Sequence, residues 1–270
     1  MQADPLSLPA RVIAVDEPVR KYIELTLEAP EIAQAARPGQ FVMVRAWPGT
    51  DPLLPRPFDV MHADPARGTI VLFVKVEGRG TALLGLLEPG TTVQCTGPLG
   101  RPVEILPDGP IALLVRGAGA AAVAMLAAAA SRKGVAVFTF LSASTAGRIV
   151  CREYLQPVST ELQVATDDGT EGYHGNATDL LDRLVARGQW RSGTEQTPGR
   201  IYTCGSRRFA RHVQALEAEG KARGFVFLEG LMACGLGDCH GCAVKKRGEP
   251  GYFLVCRDGP HFPVSRVIIE

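Results

Sequence analysis

A small antiparallel β-barrel, a doubly wound α/β domain and a short cysteine-bearing tail make up the α+β multidomain fold the sequence predicts. Three observations predict it. Residues 1–107 break into short alternating apolar and polar runs separated by Pro and Gly. From 108 to 228, strand-like runs alternate with helical ones. Beyond 229, the stretch CGLGDCHGC (234–242) crowds three of the seven cysteines into nine residues.

In the first region the runs ARVIAVDE, YIELTLEA, QFVMVRAW, TIVLFVKVEG and TTVQCTGP have the length, β-branched content and turn punctuation of barrel or sandwich strands. LPDGP (106–110) marks the boundary. In the second, IALLVRGAG is a strand entering an Ala-rich helix, and VAVFTFLSA and ELQVATDD are further strands. TDLLDRLVARG is a helix, GRIYTCGS a strand and RFARHVQALEAEGKARG an amphipathic helix. Strands alternating with helices predict a parallel sheet covered on both faces. GQWRSGTEQTPGR (188–200) reads as a polar surface loop. In Asn176-Ala177-Thr178, a formal glycosylation sequon, Thr178 is expected to cap the following helix. The third region, 229–270, is too short to build a core alone, and a bound metal centre would supply its cross-links.

The totals exclude several classes. With 29 basic against 28 acidic residues and no basic run, nothing attracts nucleic acid or anionic lipid. The longest apolar stretch, 111–130, is interrupted by Arg116, Gly117 and Gly119, so it reads as strand plus helix and not as a membrane span. The start MQADPLSLPARVIAV has no charged segment followed by an apolar core, and a cytoplasmic location is expected. An odd, clustered set of cysteines in such a chain favours metal or redox chemistry over disulfides.

Cys234, Cys239, Cys242 and Cys256 follow the pattern C-x4-C-x2-C, thirteen residues, C. This is the plant-type [2Fe–2S] spacing, with three thiolates on one tight loop and a fourth from a later segment. Gly235, Gly237 and Gly241 let the loop backbone turn its N–H groups towards sulfur. Structural zinc is the alternative, but it more often uses two short C-x2-C pairs, and only one is present. Cys95, Cys151 and Cys204 stand apart in apolar surroundings and read as core packing, and His240 within the loop as solvent-facing.

A one-electron centre fed by a two-electron donor needs a converter, usually flavin. Arg56-Pro57-Phe58-Asp59, opening a strand-like run, offers a guanidinium. EGRGTALLGLLEPG (77–90) offers a Gly-rich turn into a helix, suited to a pyrophosphate. With RPFDV (56–60), VEGRGT (76–81), GPLGRP (97–102), TDDGTEGYHG (166–175), YTCGS (202–206), LEGLMACGLGDCHGCAVK (228–245) and CRDGPHF (256–262) set side by side, the chain resembles the ferredoxin–NADP reductase superfamily. More narrowly it resembles the electron-transfer subunits of class 1B dihydroorotate dehydrogenase and the similar small subunit of NADH-dependent ferredoxin–NADP oxidoreductase.

That resemblance implies FAD on the barrel. Arg56 and the main chain of Pro57 and Phe58 would lie along the isoalloxazine, and Gly78, Arg79, Gly80 and Thr81 would meet the pyrophosphate. Asp59 stands where the family usually has Ser, so a carboxylate alters the electrostatics beside the flavin. It also implies NAD(H) on the α/β domain, with Gly117 and Gly119 at the phosphates and Thr203, Cys204 and Gly205 along the nicotinamide pocket. The family's glycine-rich turn is here Arg116-Gly117-Ala118-Gly119-Ala120-Ala121-Ala122, so two readings stand: a working nucleotide site or a degenerate one. The implied role is an electron relay to or from a catalytic flavoprotein subunit in a hetero-oligomer. The rivals are the small subunit of a ferredoxin/NAD(P) transhydrogenase-type complex and a subunit relaying electrons only between partners.

Overall fold

The computed structural model describes residues 6–187, 190–192 and 197–269. These form two compact units. One gathers the chain up to Val103 together with Glu229–Val244 and Phe253–Pro260; the other takes Glu104–Leu228, Lys245–Tyr252 and the residues from His261 on.

The first unit is built on a closed barrel of β1 (Leu6–Val19), β2 (Tyr22–Glu28), β3 (Phe41–Arg45), β4 (Arg56–Asp64), β5 (Thr69–Lys75) and β6 (Thr92–Leu99), in the order β1-β2-β5-β4-β3-β6. All the pairings recorded between these neighbours are antiparallel. α1 (Pro30–Ala35) follows β2, and α2 (Arg79–Leu84) lies between β5 and β6. The inward residues Val12, Leu25, Leu27, Val42, Val44, Ile70, Leu72 and Val74 are fully buried, as alternation along each strand requires. β3 differs. Its run FVMV is buried at every position, so this strand has a second covered face outside the barrel.

The second unit carries a seven-stranded sheet. Its elements are β7 (Ile111–Arg116), α3 (Gly119–Arg132), β8 (Val137–Ala143), α4 (Arg152–Leu155), β9 (Glu161–Thr166), β10 (Tyr173–His174) and α5 (Ala177–Val185). They continue with β11 (Arg191–Ser192), β12 (Thr197–Pro198), β13 (Arg200–Cys204), α6 (Arg207–Ala218) and β14 (Arg223–Phe227). The tail adds β15 (Ala243–Lys245), β16 (Tyr252–Leu254), α7 (Val255–Asp258) and β17 (His261–Pro263). The sheet order is β10-β9-β8-β7-β13-β14-β17, parallel except for β17, which runs antiparallel to β14. The reversal of strand order at β7–β13 places the C-terminal ends of these strands at a topological switch point. No helix among the described residues is long and apolar enough to cross a membrane.

Two local expectations are corrected. The cap of α5 is Asn176, whose side chain accepts from the Thr178 amide at 3.3 Å; Thr178 lies inside the first turn. Both are capping residue types two positions apart, and Asn176 takes the place because its backbone is extended while the helix has already begun at Ala177. The 188–200 segment is more than a surface loop. Residues 188–189 and 193–196 lie outside the described residues, but β11 and β12 pair as a ribbon, and Trp190 is fully buried. Its indole N–H donates to the Lys221 carbonyl at 2.9 Å.

Candidate functional site

The four tail cysteines belong to the first unit and fall into two pairs. The Sγ atoms of Cys234 and Cys239 are 3.3 Å apart, and so are those of Cys242 and Cys256. The first pair faces outward, with Cys239 exposed; the second is buried. Backbone amides point at the sulfurs: Leu236 N–H lies 3.3 Å from Cys234 Sγ, and Cys256 N–H lies 3.5 Å from Cys242 Sγ. Against the burial that would raise it, amides of Cys239, Leu236 and Asp238 bring the Cys234 thiol down to about 6. Among the described residues no three His, Cys, Asp or Glu side chains converge as for a single ion. Two separate thiol pairs are what a two-iron centre takes, each tetrahedral iron accepting two thiolates beside the bridging sulfides, whereas one zinc needs four ligands at one point. His240 is exposed, and Cys95, Cys151 and Cys204 are buried.

On the barrel, Arg56 lies beneath the turn that opens α2. A Cβ on Gly80 would stand 2.9 Å from Arg56 Nε, so only glycine lets the guanidinium sit there. The same guanidinium stacks over Trp47, 5.7 Å from the ring centroid, and donates to the Leu54 carbonyl at 2.6 Å. Thr81 Oγ1 accepts from the amides of Glu77 and Gly78, each at 3.0 Å, and donates to the Gly78 carbonyl, which fixes the turn. The structure thus brings Arg56, Gly78, Gly80 and Thr81 into one cradle of a guanidinium and a glycine turn, a donor set that fits a phosphate-bearing flavin.

Pro57, Phe58 and Asp59 continue along β4 and are half-buried. Pro57 pairs with Met43 and Asp59 with Phe41. Asp59 is pushed up to about 7, first by burial and then by the charge of Glu229, while its own amide pulls the other way. Glu229 opens the segment that leads into the cysteine loop; sequence reasoning had no signal for this pairing, because the two carboxylates lie 170 residues apart.

In the second unit the turn after β7 and the end of β13 meet backbone to backbone. A Cβ on Gly119 would lie 2.6 Å from the Cys204 carbonyl carbon, and one on Gly205 would collide with the Arg116 carbonyl oxygen. Gly205 has φ +85, and Gly117 has φ +52. Gly117, Gly119, Thr203, Cys204 and Gly205 are therefore assembled at the carboxyl edge of the sheet. Thr203 is fully buried and its hydroxyl donates to the Leu114 carbonyl at 2.8 Å. Arg116, at the end of β7, makes a two-pronged ion pair with Asp167 (3.1 and 2.5 Å) and donates to Ser142 Oγ at 3.0 Å, tying together the ends of β7 and β8 and the turn after β9. The guanidinium holds Asp167 below the usual carboxylate range. This ion pair was missed in the sequence. The position of both residues at strand ends, read as a pair, was the available signal.

Comparison with known proteins bears on the barrel, on the cysteine tail and on the chain as a whole. Residues 13–103 match the family model for the oxidoreductase FAD-binding domain, and residues 229–268 match that for the iron–sulfur cluster binding domain of dihydroorotate dehydrogenase B. The chain is 34% identical over 264 residues to the electron transfer subunit of dihydroorotate dehydrogenase B (NAD(+)) from Desulforamulus reducens, covering 97% of this chain and 98% of the relative. With the subunit of the same name from Bacillus caldolyticus it shares 35% identity over 250 residues, 91% and 92% of the two chains. Among solved structures it is similar to the NADH-dependent reduced ferredoxin–NADP oxidoreductase studied for flavin-based electron bifurcation. There the TM-score is 0.84 at 27% identity, over 96% of this chain and 89% of that one. The ferredoxin reductase of carbazole 1,9a-dioxygenase shares the fold, with a TM-score of 0.64 at 19% identity over 83% and 70% of the chains.

Proposed function

The chain belongs to the family of electron-transfer subunits of dihydroorotate dehydrogenase B, and from that premise we propose that it relays electrons between NAD(H), FAD and a [2Fe–2S] cluster and exchanges them with a catalytic flavoprotein subunit in a hetero-oligomer. The observation that carries the reading is the set of two thiol pairs at 3.3 Å on a lobe grouped with the barrel that holds the Arg56 cradle. When bound, flavin converts between two-electron and one-electron transfer, and the cluster carries single electrons.

The residues divide the work. Cys234 with Cys239, and Cys242 with Cys256, would hold the two irons, the loop amides offsetting negative charge on sulfur. Arg56 would neutralise phosphate and, with the main chain of Pro57 and Phe58, seat the flavin; Gly78, Gly80 and Thr81 shape the turn that would receive the pyrophosphate. Asp59 puts a titratable carboxyl beside it. Gly117, Gly119, Thr203, Cys204 and Gly205 form the floor of the nucleotide site, with Arg116 and Asp167 at its edge. Along the sequence the barrel region runs 1–107, the nucleotide region 108–228 and the cluster-bearing tail 229–270, the tail being shared between the two units, and the protein works in the cytoplasm.

One observation favours a second reading for the nucleotide site alone. Arg116 and Asp167 are engaged with each other, and the Thr203 hydroxyl with Leu114, so these three side chains are already paired within the protein. Anaerobic titration with NADH and then dithionite separates the two. Bleaching of flavin and cluster absorbance by NADH establishes the full relay. Reduction by dithionite alone means that electrons enter from the partner, and absence of either chromophore refutes the proposal.

A further inference from the structure

The second covered face of β3 is where the two cofactor-bearing parts of the first unit meet. Residues paired across an antiparallel ladder share a face, as do residues two apart on a strand. Phe41 and Met43 of β3, their partners Asp59 and Pro57 of β4, and Leu99 of β6 opposite Phe41 therefore lie on one face of the barrel wall. The cysteine loop rests on that face. Gly235, next to Cys234, has φ +75 and comes so close that a Cβ on it would stand 2.7 Å from Met43 Cγ and 3.0 Å from Leu99 Cδ1. Met43 is 2% exposed. A second seam closes the same lobe: Gly100 abuts Pro260, with a Cβ position 2.8 Å from its Cδ, and Arg101 N–H donates to the Gly259 carbonyl at 2.6 Å.

We propose that Met43 is a positioning residue for electron transfer: its side chain, beside Pro57 on one side and under Gly235 on the other, sets the separation between the flavin strand and the thiol pairs. The proposal rests on the assignment of flavin to Arg56–Asp59 and of the cluster to the four cysteines. Its physical content is that the two centres are held by a packed seam. Met43 fills it with a flexible, polarizable chain, and a glycine opposite leaves no gap for solvent. With both groups bound, flavin would give up the single electron that the cluster takes up, across a separation to which the Met43 side chain contributes from the centre of the seam.

The test compares Met43→Ala and Met43→Leu with wild type in the cofactor-loaded full chain. Flavin and iron contents are measured first. The flavin is then photoreduced, which needs no nucleotide site, and the rate at which the cluster's absorbance follows is recorded. The midpoint potentials of both centres and the EPR signal of the reduced cluster are measured alongside. Met43→Ala is expected to slow flavin-to-cluster transfer by about tenfold or more at unchanged potentials, and Met43→Leu, which conserves volume, to keep the wild-type rate. A wild-type rate in Met43→Ala, with both cofactors in place, overturns the proposal. So does a rate loss that tracks a shifted potential or a lost cluster, because the residue is then redox-tuning or merely structural. Wild-type chain that binds no flavin or no iron refutes the underlying assignment instead.

Discussion

Asp59→Asn removes a titration and leaves the shape of the side chain. In the folded chain this carboxyl titrates near 7, through burial and the neighbouring Glu229, against an ordinary value of 3.8. Its folded pKa is raised, so its contribution to stability is fully present below the unfolded value and lost as pH climbs through the folded one. The window runs from about pH 4 to about pH 7, and its ceiling is about 4 kcal/mol, at 1.36 kcal/mol per pKa unit. About 3 kcal/mol of this falls between roughly pH 5 and pH 8. Urea unfolding followed by Trp fluorescence at these two pH values should show wild type losing stability on going to the higher one, with the asparagine variant losing clearly less. Glu229→Gln removes the like charge, lowers the Asp59 pKa and moves the window towards acid. Parallel stability profiles for wild type and Asp59→Asn would refute the argument, since the carboxyl would then titrate like a solvated one.

Gly80→Ala should lower FAD affinity by about tenfold or more, read by flavin fluorescence on release, because the new Cβ displaces the Arg56 guanidinium and its charge-assisted contacts. Gly205→Ala combines a left-handed backbone with a collision against the Arg116 carbonyl, and should destabilise the second unit by about 3 kcal/mol or more in thermal unfolding. After chelator treatment to strip iron, iodoacetamide at neutral pH should label Cys234 and Cys239 first. Cys95, pushed up to about 12 by burial, and the buried Cys151 and Cys204 should stay unlabelled in the folded chain, as mass spectrometry of the peptides can check.

The barrel strands were legible because alternation is a local signal, and the cysteine spacing because three of the four thiols sit on one loop. What the sequence could not convey was long-range. FVMV in β3 reads as an ordinary buried strand, and only the loop at Gly235, some 190 residues later, explains why both of its faces are covered. The same distance hides the effect of Glu229 on Asp59. Trp190 was missed for another reason: a single aromatic in a polar run carries no periodicity, so its burial is decided by tertiary packing alone. The Asn176–Thr178 cap was lost between two residue types of equal propensity.

The interleaved order of the two units also has a consequence for how the chain is made. On the ribosome the barrel strands emerge first, but the segments that cover Met43 and Leu99 follow only after residues 104–228. Through that interval the outer face of β3 is a bare apolar patch, and its cover is a contact of very high sequence separation, the kind that forms last and slowest. A barrel lacking the cysteine loop would leave Met43 and Leu99 uncovered, a face open to aggregation and chaperone capture. Iron–sulfur insertion, by securing that loop, would act as the final step of maturation, and a shortage of the cluster would surface as insolubility of the N-terminal strands and not merely as lost colour.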